Sequence, residues 1–367
     1  DVHFEPYEKY YRTRYRTDGV LREITQPPLV LREKIASRIK VISRLDISEK
    51  RVPQDGRMKF VLSKTKAIDF RVSTLPTLHG EKIVMRILDP SSAMLGIDAL
   101  GYEPEQRASL MHAIERPYGM ILVTGPTGSG KTTTLYTALD RLNKPDVKIL
   151  TVEDPVEYQM PGINQIQVKA QINLTFANAL RSIVRQDPDV IMIGEMRDLE
   201  TARIAIQSAL TGHLVLSTIH TNTAAGGITR MLDMGVEDYL LTSTINAILG
   251  QRLVRRLHPD YREPYLALPE VVREYGLERF TQDREITLYR PKPGPESSTG
   301  YQGRTTILEV MTMNDDIRRL VMKHATAGEI EKMAVDHGMR TKYEDGLMKR
   351  VLGTTTIEEV LRVTQES

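Results

Sequence analysis

The chain has 367 residues, of which 27% are charged and 40% hydrophobic, a composition typical of a folded protein with two or three domains. Its formal net charge of +2 gives no electrostatic case for a nucleic-acid partner or for strong binding to an anionic membrane. There are no cysteines, which excludes disulfides and thiolate metal sites, and no apolar run approaches the roughly 20 residues that span a bilayer.

The first 88 residues predict a small α+β domain. Residues 1–5 lack the features of a signal peptide and are typical of a strand, so we expect the chain to be a piece of a longer protein. Asp18-Gly19 and Asp55-Gly56 are predicted as hairpin turns. A helical spacing covers residues 29–45, and alternating patterns predict strands at 11–15, 20–24, 51–54, 58–63, 67–75 and 82–88.

Residues 89–103 contain turn-forming proline, serine and glycine and are predicted as a linker. An α/β domain is predicted over residues 104–367, because apolar strands alternate with helical segments. These strands lack a polar face, as expected for a parallel sheet that is covered on both sides. They are predicted at 120–124, 147–152, 189–193 and 213–219.

The last third of the chain predicts two further parts. Prolines recur in residues 258–303, which we interpret as an irregular insertion. Residues 314–362 are predicted to be helical. Thr326 with Glu329, and Thr355 with Glu358, have the spacing of capping boxes.

A glycine-rich motif follows the first apolar strand of the larger domain. Residues 125–132 read Gly-Pro-Thr-Gly-Ser-Gly-Lys-Thr, and the sequence after them can form a helix. In such a loop backbone N–H groups surround a phosphate chain, Lys131 reaches the β/γ-phosphates and the Thr132 hydroxyl ligates Mg²⁺. A glycine-rich turn with a solvated lysine is the alternative. The strand-then-helix context favours a nucleoside triphosphate site, whose binding residues are Gly125, Pro126, Thr127, Gly128, Ser129, Gly130, Lys131, Thr132 and Thr133.

Two acidic segments follow other strands, at the sheet edge where ligands collect in α/β folds. Glu153, Asp154 and Glu157 follow one strand, and Glu157 is the candidate for orienting or activating water, with an acidic turn as the alternative. Apolar residues also run into Glu195, a carboxylate that can bind Mg²⁺ through water. The predicted metal ligands are Thr132, Glu195, Glu153 and Asp154.

Histidines occupy both ends of the strand predicted at 213–219. His220, at its carboxyl end, is better placed than His213 to touch the γ-phosphate, with Thr218 as a helper, although single histidines are more often structural. Asp198 is interpreted as the cap of a helix over residues 199–210.

Arginines supply candidate cations for the charge that develops during phosphoryl transfer. Arg71 and Arg86 lie on predicted strands of the small domain, where they are either arginine fingers or members of surface ion pairs. Arg181 and Arg185 lie one turn apart on a predicted helix over residues 174–186, with a solvated face as their simplest interpretation. The predicted catalytic residues are Glu157, Glu195, Lys131, Arg71, Arg86 and His220.

Together these stretches resemble the secretion ATPase superfamily that powers type II secretion and type IV pilus assembly. The resemblance covers most of residues 1–257 and is carried by residues 1–7, 53–57, 69–71, 80–90, 125–132, 151–158, 185–198, 212–222, 251–257 and 299–304, with Glu309. It implies a RecA-like phosphate-loop domain with a parallel-rich sheet, preceded by a smaller, PAS-like α+β domain.

The resemblance also implies a role for each site residue. Walker A would contain Lys131 and Thr132, and Walker B would contain Glu195. Further motifs of the family are an acidic box, a histidine box and two small-domain arginines that reach the nucleotide. They match Glu153, Asp154 and the catalytic Glu157, then His213 and His220, then Arg71 and Arg86.

Family members work as rings of six subunits that bind ATP and Mg²⁺ at the cytoplasmic face of the bacterial inner membrane. The implied partners are an inner-membrane platform protein and cytoplasmic accessory proteins, with no direct nucleic acid. Most extension and secretion motors carry a four-cysteine zinc module in the region of residues 258–295. Here its first pair falls at His258 to Tyr261, so thiolate zinc is impossible. The module has then either lost its metal or been rebuilt on packing, through Tyr261, Tyr265 and Leu266.

Alternatives within and beyond the motor class stay open. The small-domain sequence leans toward pilus assembly over type II secretion, while retraction motors lack an insertion like residues 258–303. A DNA translocase of a related ring type is opposed by the near-neutral charge. A scaffold that binds ATP without hydrolysis is opposed by the presence of both Glu157 and Glu195.

Overall fold

The computed structural model describes residues 1–63, 67–89 and 96–365. The chain divides into two compact units, Asp1–Ser91 and Ser92–Ser367. Part of the predicted linker, 90–95, lies outside the described residues, and a short 3₁₀ helix, Ile97–Leu100, occupies part of the remainder. The linker and domain boundaries at 88 and 104 stay predictions.

The first unit combines one antiparallel sheet with one α-helix in its described residues. Its elements are β1 (Val2–Pro6), β2 (Tyr11–Thr17), β3 (Val20–Thr25), α1 (Arg32–Ile42), β4 (Gln54–Val61), β5 (Ala67–Thr77) and β6 (Gly80–Leu88). The strands pair in the order β3-β2-β1-β6-β5-β4. Alternate residues such as Val72 and Ile83 are fully buried and form a core with Ile39 of α1. The charged residues that alternate with these buried ones along the strands therefore lie on the other face of the sheet.

Only one of the two predicted hairpin turns is confirmed. Asp18 and Gly19 join β2 to β3 with positive φ values of 50° and 86°. The turn at Asp55-Gly56 is wrong, because both residues lie inside β4, which pairs along its length with β5. A Cβ atom on Gly56 would lie 2.7 Å from the carbonyl oxygen of Ser43, so a close backbone approach requires this glycine.

The second unit alternates strands and helices. Its elements are α2 (Pro104–Ile114), β7 (Gly119–Thr124), α3 (Lys131–Leu142), β8 (Ile149–Glu153), β9 (Asn164–Gln167), α4 (Phe176–Ile183), β10 (Val190–Ile193), α5 (Leu199–Leu210), β11 (Leu214–Ile219), α6 (Ala224–Asp233), α7 (Asp238–Thr244), β12 (Ile245–Leu257), β13 (Arg262–Leu266), α8 (Pro269–Tyr275), β14 (Thr287–Pro291), β15 (Tyr301–Thr312), α9 (Asp315–Met322), α10 (Ala327–Asp336), α11 (Lys342–Val351) and α12 (Ile357–Thr364).

Within the described residues, its main sheet has the strand order β15-β12-β7-β11-β10-β8-β9. Every neighbouring pair is parallel except β12 with β15. Successive residues of β7 enter different cores: Met120 and Leu122 face one, whereas Ile121 and Val123 face the other. Covering both faces explains the continuous apolar strands, and it leaves the carboxyl ends of β7, β8, β10 and β11 together at one edge.

The stretch predicted as irregular contains regular structure. Strands β13 and β14 form an antiparallel pair, and α8 lies between them in sequence. Leu266 was expected to pack inside but is 57% exposed. Tyr265 packs at the margin of a cluster, and the Tyr261 ring lies against the His258 ring with centroids 4.3 Å apart. The buried members of that cluster are Ala267, Leu277, Ile286, Leu288 and Leu347.

The predicted helical part contains α9 to α12, with one capping box confirmed and one wrong. Thr326 and Glu329 each accept a hydrogen bond from the other's backbone N–H at the start of α10. Helix α12 instead begins after Thr356, and the Thr355 hydroxyl donates to the carbonyl oxygen of Arg255 at 2.8 Å. Across the described ranges, every helix is too short or too polar to cross a membrane.

Candidate functional site

The glycine-rich loop connects the carboxyl end of β7 to the first turn of α3. Gly125, Gly128 and Gly130 have φ values of 147°, 80° and 88°, which residues with a side chain rarely adopt. A Cβ atom on Gly125 would lie 2.4 Å from Ser129 Oγ, so the first turn also needs a glycine for space. Lys131 is the first residue of α3, and Thr132 and Thr133 follow it in the first turn. The backbone N–H groups at the start of α3 therefore point toward this loop, as phosphate binding requires.

Lys131 is held against the loop that precedes it. Its Nζ donates hydrogen bonds to the carbonyl oxygens of Gly125 at 2.7 Å and Pro126 at 2.9 Å. Burial lowers the pKa of Lys131 to about 8, and the nearby charge of Glu195 opposes this shift. An anionic ligand would favour the charged lysine and would compete with the two carbonyl groups for it.

Gln251 fixes the loop from the neighbouring strand β12, a contact that the sequence analysis missed. Its Nε2 donates to the carbonyl oxygen of Ser129 at 2.8 Å, and its Oε1 accepts from the Thr134 hydroxyl at 2.9 Å. The side chain is buried and joins Ser129 of the loop to Thr134 of α3. In the sequence, the only signal at Gln251 is that it belongs to residues 251–257, one of the stretches that carry the family resemblance.

Glu195 lies just beyond the carboxyl end of β10 and contacts Arg197 and His220. Its Oε1 forms an ion pair with Arg197, and its Oε2 lies 3.3 Å from Nε2 of His220, which follows β11. The hydrogen bond with Glu195 is the main cause that raises the pKa of Arg197. Glu195, His220 and Lys131 thus lie at one edge of the sheet, where the sequence predicted that the strands end.

Thr218 holds the backbone next to Glu195. Its hydroxyl donates to the carbonyl oxygen of Gly194 at 2.7 Å, and its own carbonyl oxygen accepts from the N–H of Met196 at 3.0 Å. These bonds fix the residues on both sides of Glu195, so this threonine acts on the carboxylate through the backbone.

The structure does not favour Glu153 as a metal ligand. Its side chain is buried and accepts hydrogen bonds from the hydroxyls of Tyr136 and Thr151 and from the amide of Gln165. Burial raises the pKa of Glu153, while these hydrogen bonds oppose the rise. Since neutral donors occupy both carboxylate oxygens, Glu153 is better described as part of a structural network.

Asp154 and Glu157 follow Glu153 on the segment after β8. Asp154 is exposed, and its charge helps to raise the pKa of Arg197. Glu157 is partly buried, and its backbone N–H donates to the Tyr136 hydroxyl at 3.3 Å. This hydrogen bond therefore fixes the backbone of Glu157, which carries the carboxyl group, to α3.

His213 is placed away from this edge. It precedes β11, whereas His220 follows it, so the two histidines are separated by about 20 Å of strand. The Nδ1 of His213 bonds with the carbonyl oxygen of Ser208 near the end of α5 at 2.9 Å. The strand therefore holds the two histidines at opposite ends, and only His220 lies at the edge that carries the phosphate loop.

Three other predicted residues have local partners. Asp198 caps α5 by accepting from the N–H of Thr201 at 2.8 Å, as predicted. Arg181 contacts Glu200 on α5, and Arg185 donates to the carbonyl oxygen of Arg181 at 2.8 Å. Helix α4 is shorter than predicted and ends at Ile183, so Arg185 lies beyond it.

Arg71 and Arg86 lie directly opposite each other on β5 and β6 of the first unit. Arg57 lies opposite Arg71 on β4, so three arginines form one row across the sheet. Arg86 donates to Asp1 at 3.0 Å while its side chain stays 53% exposed. Like charges in directly opposed positions repel, and the Asp1 carboxylate offsets part of this repulsion at Arg86.

Known proteins share extensive sequence with this chain. The family described as type II/IV secretion system protein matches residues 1–362. The type II secretion system protein E of Xanthomonas campestris pv. campestris is 61% identical over 100% of this chain. The type IV pilus assembly ATPase PilB is 53% identical in Acinetobacter baylyi and 52% in Pseudomonas aeruginosa, again over 100% of the chain. The chain spans 65%, 63% and 64% of the lengths of these three relatives.

Solved structures show the same fold at lower identity. The ATPase DotB of Legionella pneumophila has a TM-score of 0.70 at 18% identity, covering 100% of this chain and 91% of DotB. The pilus retraction motor PilT with bound ADP has a TM-score of 0.66 at 25% identity, covering 99% of this chain and 92% of PilT. The predicted α/β, RecA-like fold class is confirmed.

Proposed function

The chain belongs to the family of type II/IV secretion system proteins, and on this premise we propose that it hydrolyses ATP to drive a secretion or pilus-assembly machine. The observation that carries the proposal is one sheet edge. There the phosphate loop, Lys131 and the Glu195–His220 pair meet at the ends of neighbouring parallel strands.

Each side chain has a chemical role in this proposal. Loop N–H groups and Lys131 bind the phosphate oxygens, and His220 contacts the terminal phosphate. Glu157, on the segment that follows the end of β8, orients or activates the attacking water. Release of Lys131 from the Gly125 and Pro126 carbonyl groups accompanies binding, because the phosphates are stronger acceptors.

Mg²⁺ is the proposed cofactor. A hydroxyl from Thr132 and a carboxylate from Glu195 provide the oxygen ligands that this ion prefers, and exposed Asp154 is a further candidate. When bound, Mg²⁺ would neutralise charge on the phosphate oxygens. Zinc is not part of the proposal, since the chain has no cysteine.

The proposed assembly is a homohexamer at the cytoplasmic face of a bacterial inner membrane. In it, Arg71 and Arg86 of one subunit face the phosphates bound by the next. The positions of Arg71 and Arg86, directly opposite each other on β5 and β6, support this role, because two neighbouring guanidinium groups can contact one phosphate chain. The partners are a membrane platform protein and accessory proteins of the machine, and no direct nucleic-acid partner is proposed.

Type II secretion is the first candidate machine, with type IV pilus assembly second. The relative named type II secretion system protein E is 61% identical, against 53% for the pilus ATPase of Acinetobacter baylyi. This difference favours secretion, contrary to the lean that the small-domain sequence suggested.

Measurement of phosphate release by the full-length protein tests the proposal. We expect turnover that requires Mg²⁺, and Glu157→Gln should lower kcat by about 10²- to 10⁴-fold, since it removes a general base. Binding of a fluorescent ATP analogue should persist in this variant. The exposed Glu115 provides the control: Glu115→Gln should match the wild type. Unchanged turnover in Glu157→Gln would remove that residue from the mechanism, and a wild type without ATP turnover would refute the proposed activity.

A further inference from the structure

A buried hydrogen-bond chain connects the phosphate-loop helix to the segment that carries Glu157. Tyr136 lies on α3, five positions after Lys131, and its side chain is fully buried. Its hydroxyl donates to the Glu153 carboxylate and accepts from the N–H of Glu157 at 3.3 Å. A phenol has one O–H to donate and lone pairs to accept, so both bonds are satisfied at once.

Two further contacts fix this chain in place. Glu153 is held by the Thr151 hydroxyl at 2.7 Å and by the Gln165 amide at 3.2 Å, the latter from the neighbouring strand β9. The Tyr158 ring packs edge-on against the Tyr136 ring, with centroids 4.5 Å apart. Because the Tyr136 hydroxyl donates to a carboxylate, it becomes a better acceptor for the Glu157 N–H. Because the Tyr136 side chain is fully buried, solvent does not compete for its hydroxyl group.

The segment from Glu153 to Glu157 is therefore tied at both ends. At one end Glu153 belongs to β8, and at the other the Glu157 backbone is bonded to α3 through Tyr136. Helix α3 also carries Lys131 and Thr132 in its first turn. The same helix thus sets the position of the phosphate-binding groups and the starting position of the Glu157 side chain.

We propose that Tyr136 and Glu153 are positioning residues, which hold Glu157 in register with the phosphate loop. This inference rests on the proposed function, in which Glu157 acts on water. It replaces the predicted metal role of Glu153, because the three donors around that carboxylate leave no oxygen free of a partner among the described residues. Displacement of a reacting group by about 1 Å can cost 10²-fold in rate, so such a tie matters for turnover.

The first experiment compares Tyr136→Phe with wild type and with Tyr301→Phe. Tyr301 is a suitable control because its partly buried hydroxyl also forms a hydrogen bond, with Thr356 at 3.0 Å, in another part of the second unit. We expect Tyr136→Phe to lower kcat by about tenfold, with KM for ATP within about twofold, since the phosphate-binding groups are untouched. Tyr301→Phe should retain the kcat of the wild type. Rates are expressed per nucleotide-binding site, so that loss of folded protein does not count as loss of kcat.

A second readout does not depend on turnover. In the nucleotide-free protein, amide hydrogen exchange of Glu157 should become at least about tenfold faster in Tyr136→Phe and stay unchanged in Tyr301→Phe. Unchanged exchange at this amide in Tyr136→Phe would overturn the proposal. This test also applies if the wild-type protein shows no ATP turnover. Normal kcat in Tyr136→Phe, beside an inactive Glu157→Gln, would overturn it while leaving the proposed function intact.

Glu153→Gln separates the positioning role from a metal role. The amide keeps one oxygen for Tyr136 but loses the second acceptor, so we expect kcat to fall by about three- to tenfold at saturating Mg²⁺. The Mg²⁺ concentration that gives half-maximal activity should stay as in wild type. A severalfold rise in that concentration with normal kcat at saturation would identify Glu153 as a metal ligand and overturn the assignment.

Discussion

Glu195 brings together the charged side chains at the candidate site. Arg197 neutralises one of its carboxylate oxygens, and His220 lies against the other. Thr218 fixes the backbone on either side of it. An arrangement with fixed donors and charges needs little reorganisation when charge develops on a substrate, which is the main requirement of phosphoryl transfer.

The two histidines give a matched pair of variants. His220→Ala should lower kcat by about tenfold or more, because it removes a group that contacts Glu195 and that is proposed to contact the terminal phosphate. His213→Ala should leave kcat within about twofold, since its ring bonds to Ser208 at the other end of β11. Steady-state ATP turnover of both variants, at equal folded fraction, checks this. Equal losses in the two variants would contradict the separation that the strand imposes.

The sequence predicted Lys131, Glu195 and His220 at one edge because parallel strands end together. It did not predict the roles of Tyr136, Glu153 and Gln251. Their partners lie on different elements, and a tyrosine, a carboxylate or an amide within an apolar pattern gives no sign of which backbone group it will meet. The distinction between His213 and His220 was also available from the sequence, because the two residues flank opposite ends of one predicted strand.

Among the elements, the strands of the parallel sheet were predictable from the sequence, whereas one turn and two short strands were not. Continuous apolar runs between helices indicated β7, β8, β10 and β11. Gly56 was read as a turn because a glycine next to an aspartate is typical of hairpins, although here it allows Ser43 to approach. The short strands β13 and β14 were missed because proline-rich segments rarely pair.

Helix α12 is joined to β12 by one buried carboxylate. Glu359 accepts from the backbone N–H of Arg255 at 2.9 Å and from the Arg255 guanidinium at 2.7 Å, and it also pairs with Arg362. Burial alone would raise the pKa of Glu359, but the hydrogen bonds from Arg362 and Arg255 outweigh it and lower the pKa to about 2. The ionised carboxylate therefore stabilises the folded second unit.

Removal of this charge should make stability depend less on pH. A folded-state pKa below the ordinary value means that the contribution is complete above about pH 4.5 and is lost as the pH falls toward about 2. Glu359→Gln should lower the free energy of unfolding by about 2 kcal/mol at pH 7. The exposed Glu358 serves as the control, and Glu358→Gln should change little. Denaturant unfolding between pH 7 and the acid limit checks this, and a constant deficit in Glu359→Gln across that range would contradict the assignment.

The whole chain contains two compact units, and each carries part of the proposed chemistry. The second unit has the phosphate loop, Glu157 and Glu195, whereas the first has the row formed by Arg57, Arg71 and Arg86. A ring of identical subunits, in which each contact is head-to-tail, can bring the two parts together between neighbours. The proposed function requires such an assembly, because it assigns the arginines of one subunit to the phosphates bound by the next.

Mixed assemblies of two inactive variants examine this arrangement. Arg86→Ala keeps the phosphate loop and Glu157, and Glu157→Gln keeps the arginines. Each variant alone should have little ATP turnover. The two variants are co-expressed with different tags, and mixed assemblies are isolated. These assemblies should regain about a quarter of the wild-type turnover. In a random order of subunits, that share of neighbouring pairs combines a native Glu157 with a native Arg86. Mixed assemblies as inactive as their parents, or full turnover by Arg86→Ala alone, would contradict a site shared between subunits.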